Sequence, residues 1–272
     1  MSRFKGKTAV ITGGADGIGA AYALELARFG VNVAVLDVLE DKAGATAEQV
    51  SATGVKSIAV KADVTDCESL ADAATNVVSQ MGPVAMLIVN AGVGIGGGYI
   101  SASERTVDWL FNVNIMGPIN TVRAFVPAMI EGQGPRHVAF TASTACLAPL
   151  AADLAAYGAS KKAMAGLAEG VRAELAPHEI GVTTIYPALV NTRIWDAARA
   201  RPQRFGGPRL QPEEAGEFWR SQGMSAESVA ARAIAAIEAG DPHCVVPDAD
   251  TRAKFEETYE AVRSGFPKDG QA

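Results

Sequence analysis

The chain has 272 residues and a mass of 28.1 kDa, enough for one large α/β domain or two small ones. Hydrophobic residues make up 49% and charged residues 20%, which excludes a disordered chain, and 24 Lys and Arg against 30 Asp and Glu give −6, without the basic footprint of a general nucleic-acid binder. Cys67, Cys146 and Cys244, like His137, His178 and His243, stand apart with no CxxC, so neither a disulfide framework nor a metal site is expected. The N-terminal Met-Ser-Arg-Phe-Lys-Gly-Lys leads straight into a short apolar run, and no apolar stretch reaches the roughly 18 residues of a membrane span. The expectation is a soluble cytoplasmic protein with no nucleic-acid or membrane partner.

In chain order, short apolar β-branched runs at 8–12, 32–37, 57–63, 86–90, 137–142, 182–186 and 243–246 predict strands. Most are apolar throughout rather than alternating, as strands covered on both faces should be. Ala-rich amphipathic segments near 18–29, 41–53, 66–81, 103–130, 153–177 and 226–239 predict the intervening helices. Repeated strand–helix units imply an α/β fold, a Rossmann-type doubly wound parallel sheet of about seven strands with helices on both faces. No linker or repeat divides the chain, so residues 1–272 read as a single domain. Residues 193–223 interrupt the alternation and read as a substrate-lid insertion. Six arginines there (193, 199, 201, 204, 209 and 220) face four acids, suiting either an anionic substrate group or a solvated lid surface. Trp195, Phe205 and Trp219 suit an apolar or aromatic pocket instead, and the residues from Pro267 onward are expected to fray.

After the first strand comes Thr12-Gly13-Gly14-Ala15-Asp16-Gly17-Ile18-Gly19, then a helix. Glycines let a backbone approach a pyrophosphate, and the helix N-terminus offers unpaired N–H groups and the positive end of its dipole. The alternative is a plain tight turn. Asp37, ending the second strand, suits the two hydroxyls of an adenosine ribose and would repel a 2′-phosphate; Val38 and Leu39 follow it, with no adjacent cation. That combination predicts NAD over NADP, unless Asp37 only caps the next helix. Five glycines at 92, 94, 96, 97 and 98 read as a flexible pocket wall rather than a second phosphate loop, because no helix start follows directly.

Tyr157-Gly-Ala-Ser-Lys161 sets a phenol and an ammonium four residues apart, on one face of a helix. A cation about 4 Å from the phenol, at an effective dielectric near 20, is worth about 4 kcal/mol and would draw the pKa from about 10 towards 7, with burial opposing. A tyrosine so tuned would exchange a proton at neutral pH. Ser143 ends the fifth strand, where its hydroxyl suits a substrate oxygen or, more plainly, a turn cap. Asn114 lies on the apolar stripe Val107, Leu110, Phe111, Ile115, where a buried amide must be satisfied. Pro118 lacks the N–H that would bond the Asn114 carbonyl, leaving that carbonyl for a water or marking only a helix kink.

Taken together, TGGADGIG at 12–19, Asp37, Asp63-Val64, Asn90-Ala91-Gly92, Asn114, Ser143, Tyr157 with Lys161, and Pro187 with Val190 and Thr192 resemble the short-chain dehydrogenase/reductase family over nearly the whole chain. The resemblance implies that Tyr157 is the general acid/base, that Lys161 lowers its pKa and holds the nicotinamide ribose, that Ser143 orients the substrate oxygen, and that Asn114 holds a relay water. It implies cofactor contacts by Gly13, Asp16, Gly17, Ile18, Gly19, Asp37, Asp63, Val64, Asn90, Ala91, Gly92, Tyr157, Lys161, Pro187, Val190 and Thr192, and no metal. Three departures stand out: Ala188 where the family has glycine, Cys146 where it has glycine, and fourteen residues rather than thirteen between Ser143 and Tyr157. The stretch Asn114-Ile-Met-Gly-Pro-Ile-Asn120 and the 191–205 region are locally similar to the Cα-dehydrogenases of bacterial lignin aryl-ether breakdown, which implies a benzylic alcohol. A steroid, polyol or 3-hydroxyacyl substrate, or a non-catalytic NAD-binding sensor or scaffold, are the alternatives. Small residues crowd the 153–177 helix, and the family implies a homotetramer, at least a homodimer, built on it with the 103–130 helix.

Overall fold

In the computed structural model, which describes residues 1–149 and 151–267, seven strands form one sheet. They are Thr8–Thr12 (β1), Asn32–Asp37 (β2), Ser57–Lys61 (β3), Val84–Val89 (β4), His137–Thr141 (β5), Gly181–Pro187 (β6) and His243–Val246 (β7). Every pairing is parallel and the order is β3-β2-β1-β4-β5-β6-β7. The chain runs outward from β1 to β3 and then returns to start again at β4. The order therefore reverses between β1 and β4, and the crevice beyond their carboxyl ends is where such sheets bind ligands.

Helices cover both faces. Gly17–Arg28 (α1) and Glu40–Ser51 (α2) lie on one face, Cys67–Met81 (α3), Glu104–Phe111 (α4), Gly117–Glu131 (α5) and Ala155–Leu175 (α6) on the other. Glu217–Gln222 (α7), Ala226–Ala239 (α8) and Thr251–Arg263 (α9) follow, with α8 packed beside α1. Two apolar cores result. Tyr22, Leu26, Val50, Val229 and Ile234 fill one, and Leu70, Val77, Trp109, Phe125, Phe140 and Met164 the other. Strand residues alternate between the two cores, which is why β1, β4 and β5 are buried at every position.

Two features differ from the sequence expectation, and the 193–223 segment takes a form that the sequence left open. The single helix expected over 103–130 is broken at Asn112–Met116 by a π turn, in which the Gly117 amide reaches back to the Asn112 carbonyl. A helix of this length containing Pro118 must shift its hydrogen-bond register somewhere, and a π turn does so without a break in direction. Residues 193–223 hold short 3₁₀ turns (Arg193–Ala200, Gln203–Phe205, Glu213–Gly216) and α7. Helix α9 had no sequence prediction: only Thr251 is buried, and Phe255, Tyr259 and Val262 are exposed. Of the residues expected to fray, 268–272 lie outside the described residues. Among the described residues no helix is long and apolar enough to cross a membrane, and no three His, Cys, Asp or Glu side chains group as a metal site.

Candidate active site

The glycine turn leaves β1 and enters α1. Gly13 has φ +65°, and a Cβ there would fall 2.8 Å from the Ala91 Cα. A Cβ on Gly19 would fall 2.0 Å from the Gly13 carbonyl oxygen, so this turn admits no side chain at either position. Asp16 caps α1, its Oδ1 accepting from the Gly17 amide at 2.8 Å. Asn90 braces the turn from β4, its Nδ2 donating to the carbonyls of Thr12 and Gly13, each at 3.1 Å.

A cavity of about 1090 Å³ opens along the carboxyl edge of the sheet. Gly13, Asp16, Gly17, Ile18, Asp37, Asp63, Val64, Asn90, Ala91, Gly92, Ser143, Tyr157, Lys161, Pro187, Val190 and Thr192 all line it. Two of the sequence candidates, Gly19 and Asn114, do not. Gly19 sits behind the turn. Asn114 is fully buried, and its amide is spent on structure: Oδ1 accepts from the Val93 amide at 2.9 Å, and Nδ2 donates to the Val93 carbonyl at 2.9 Å and the Ser160 hydroxyl at 3.0 Å. Asn114 thus ties the 92–98 loop to α6. That loop lines the cavity at Gly92, Gly94 and Gly96 and starts no helix, as a wall should.

Asp37 is mostly buried, and burial raises its pKa. Backbone hydrogen bonds from Leu39, Ala15 and Val38 and the charge of Arg199 oppose the rise. Its Oδ2 accepts from Ala15 at 3.1 Å and its Oδ1 from Leu39 at 3.0 Å, so it braces the glycine turn as well as the entry to α2. Burial also raises Asp63, but hydrogen bonds from Thr65 and Arg204 outweigh it and hold the carboxyl below its usual range. Arg204 lies 2.8 Å from Asp63 and also bonds the Thr65 hydroxyl.

At the other end of the cavity, β5 delivers Ser143 and α6 delivers Tyr157 and Lys161. Ser143 Oγ accepts from the Ala145 amide at 3.2 Å, capping the Thr144–Cys146 turn and leaving its proton to donate. Lys161 is buried; its Nζ donates to the Thr141 carbonyl at 2.9 Å and lies 6.0 Å from the Tyr157 ring centroid. Burial lowers Lys161 to about 8. The expected depression of the Tyr157 phenol is not present: burial pushes it up to about 12, against the lowering influence of Ser143. The spacing correctly set the two side chains on one helix face. It could not show that Nζ turns to a backbone carbonyl and that the phenol is desolvated more strongly than its neighbours compensate.

The departures are accommodated. Ala188 has no positive φ and donates to the Val246 carbonyl at 2.9 Å, so a methyl group fits there. Cys146 packs half-buried against the α6-side core, where burial raises its thiol pKa.

Several lining residues escaped the sequence reading. Trp195 and Trp219 line the cavity as expected, joined by Trp109 and Phe218, whereas Phe205 packs against the core. Arg199 reaches from the insertion to Asp16 at 3.2 Å, and Lys42 meets the same carboxylate oxygen at 3.3 Å. Lys254 of α9 also lines the cavity. Arginine count was the only sequence signal for the first of these, and nothing pointed to Lys254.

The comparisons agree with this architecture. The short chain dehydrogenase family profile matches residues 7–203, and the chain belongs to that family. It is 29% identical over 268 residues to a C alpha-dehydrogenase of Sphingobium sp. (strain NBRC 103272 / SYK-6), covering 96% of this chain and 87% of the relative. It is 32% identical over 206 residues to a (-)-trans-carveol dehydrogenase of Rhodococcus erythropolis, covering 71% and 74%. A crystal structure of a short-chain dehydrogenase/reductase from Burkholderia phymatum in complex with NAD superposes with a TM-score of 0.89 at 30% identity, covering 100% of both chains. The protein is thus an oxidoreductase of a family whose relatives include alcohol dehydrogenases.

Proposed function

We propose that this protein is an NAD-dependent dehydrogenase of secondary alcohols, interconverting an aryl carbinol and its ketone. One observation carries the reading: Ser143, Tyr157 and Lys161 open into the same cavity as the glycine turn and Asp37. The residues fit a dinucleotide. Gly13 and Gly17 line the cavity at the N-terminus of α1, which suits a pyrophosphate, and Asp37 suits the adenosine ribose. Gly17, Ile18, Asp63, Val64, Asn90, Ala91 and Gly92 would flank it, with Pro187, Val190 and Thr192 at its nicotinamide end. Bound NAD would supply the hydride acceptor.

The chain's own groups handle the proton. In reduction Tyr157 donates its phenolic proton to the carbonyl oxygen; in oxidation it takes the hydroxyl proton as it passes its own to the relay water that the Asn114 carbonyl suits. Ser143 donates to that oxygen and fixes its position. Lys161 holds a positive charge beneath the phenol and would hold the nicotinamide ribose. Asn114 secures α6 against the 92–98 loop, and its carbonyl suits a relay water. Trp195, Phe218 and Trp219 favour an aromatic substrate over a polyol. Two relatives, a C alpha-dehydrogenase and a (-)-trans-carveol dehydrogenase, support an alcohol as the substrate class. Residues 193–223 act as the lid over the substrate within a single domain. Four chains assemble through α6, whose Ala163, Gly166 and Gly170 are exposed with open space at both glycines.

The test is NAD reduction at 340 nm across benzylic, terpenoid, steroidal, polyol and 3-hydroxyacyl alcohols. Turnover should be highest with 1-aryl alcohols. Preference for a polyol or an acyl thioester would refute the aryl assignment, and NAD binding with no turnover of any class would favour a sensor.

A further inference from the structure

The insertion is tied to the walls of the cleft by arginines on its first half. Its root already touches the glycine turn: a Cβ on Gly17 would fall 2.9 Å from Thr192 Cγ2. Arg199 Nη2 lies 3.2 Å from Asp16 Oδ2, and its Nη1 donates to the carbonyls of Arg193 and Asp196, each at 3.0 Å. Arg201 Cζ lies 5.7 Å from the ring centroid of Trp109 on α4, and its Nη1 donates to the Thr106 hydroxyl at 3.3 Å. Arg204 Nη2 meets Asp63 Oδ2 at 2.8 Å and also bonds the Thr65 hydroxyl. Asp16 follows β1 and Asp63 follows β3, while β2, which ends in Asp37, lies between them. Two strand spacings are about 10 Å and five extended residues reach about 17 Å, so residues 199–204 can cross the carboxyl end of β2. Between the anchors, Ala200 and Pro202 line the same cavity as Asp37.

We infer that residues 193–205 form a strap across the adenosine end of the dinucleotide groove, fastened by Arg199, Arg201 and Arg204, which must unfasten each time a cofactor enters or leaves. The inference rests on the dinucleotide reading above and goes beyond the substrate lid: Phe218 and Trp219 belong to the substrate, whereas these arginines govern cofactor exchange. The anchors are of a strength that suits repeated opening. The Arg204 side chain is 49% exposed, and an ion pair so placed is worth little by itself. The Thr65 bond and the partly buried Asp63 add to it without making it permanent. Every anchor is made within the chain, so the strap closes in the same way whatever the groove holds and slows entry and exit alike. That separates a strap from a direct contact. Losing a contact to the dinucleotide speeds only its release, while loosening a strap speeds association and release together and leaves affinity nearly unchanged.

The probe is NADH, whose fluorescence followed by stopped flow gives association and dissociation rates with no alcohol present. Arg204→Gln should raise both rates about fivefold and leave Kd within about twofold, and Arg201→Gln, at an anchor of different chemistry, should do the same. Arg209→Gln removes the same charge from an exposed position of the same insertion and should move neither rate by more than about twofold. Retained NADH affinity reports that each variant is folded. Rates unchanged in both Arg204→Gln and Arg201→Gln would overturn the strap. Faster release with unchanged association would overturn it too, and would make these arginines direct cofactor contacts. A wild type that does not bind NADH would refute the dinucleotide reading and the strap with it. Failure of that reading thus appears in the wild type, and failure of the strap alone appears only in the variants.

Discussion

Lys161 carries its charge in a place that costs stability. Folding holds it at about 8 rather than 10.5, which disfavours the charged form by about 3 kcal/mol. Below about pH 8 both folded and unfolded chains are protonated there, and this cost is present in full. Between about 8 and 10.5 the folded chain has shed a proton that the unfolded chain keeps, so stability rises with pH. Lys161→Met should therefore lose turnover yet raise the denaturation midpoint at pH 7, and its advantage over wild type should shrink as pH rises from 8 to 10. A less stable variant at pH 7 would show that the Thr141 contact outweighs the buried charge. Tyr157 makes the complementary case. Absorbance at 295 nm should reveal no phenolate in the free protein below about pH 10 that Tyr157→Phe lacks, given a phenol pushed up to about 12. A Tyr157 phenolate near pH 7 would contradict the burial argument. The identities of these residues were legible because a phenol and an amine four apart on a helix share a face. Their proton affinities were not, because desolvation and the partner of Nζ depend on residues distant in sequence.

At the scale of elements, strands and helices were legible wherever burial imposed a pattern. Strands β1, β2 and β7 have their predicted bounds, since each is built on a short run of buried apolar residues that ends where the chain turns polar or glycine-rich. Helix α9 was missed because it has almost no buried face to leave a period in the sequence. The insertion was visible as an interruption, but its organiser was not. Asp196, counted only among its acids, is fully buried; it accepts from Arg193 at 2.6 Å and from the Gln211 amide at 3.0 Å. Asp196→Ala would leave the Gln211 amide without its acceptor and remove the shorter of the Arg193 ion pairs, at a cost of about 1–3 kcal/mol confined to the segment. Trypsin should then cut within 193–223 several times faster while the main unfolding transition stays nearly in place. Unchanged cleavage would mean that the arginine contacts to Asp16 and Asp63 hold the segment by themselves.

For the whole molecule, the sheet order follows from alternating strands and helices with right-handed crossovers. The reversal between β1 and β4 fixes where a site can form, so the glycine turn, Asn90 and Ser143 had to meet at one edge. What the sequence could not convey was traffic across the cleft, the reach of Arg199 and Lys254 into a cavity assembled by other elements and of Arg204 to Asp63 in its wall. Assembly belongs to this scale as well. Light scattering should return about four times the 28.1 kDa chain mass, and a monomer at micromolar concentration would refute the proposed use of α6. The most direct measurement compares wild type with Tyr157→Phe for NAD reduction by a 1-aryl alcohol, alongside NAD binding by calorimetry. Turnover should fall by about a thousandfold or more while NAD affinity changes by less than about threefold. Undiminished turnover in Tyr157→Phe would show that the proton leaves the substrate by another route.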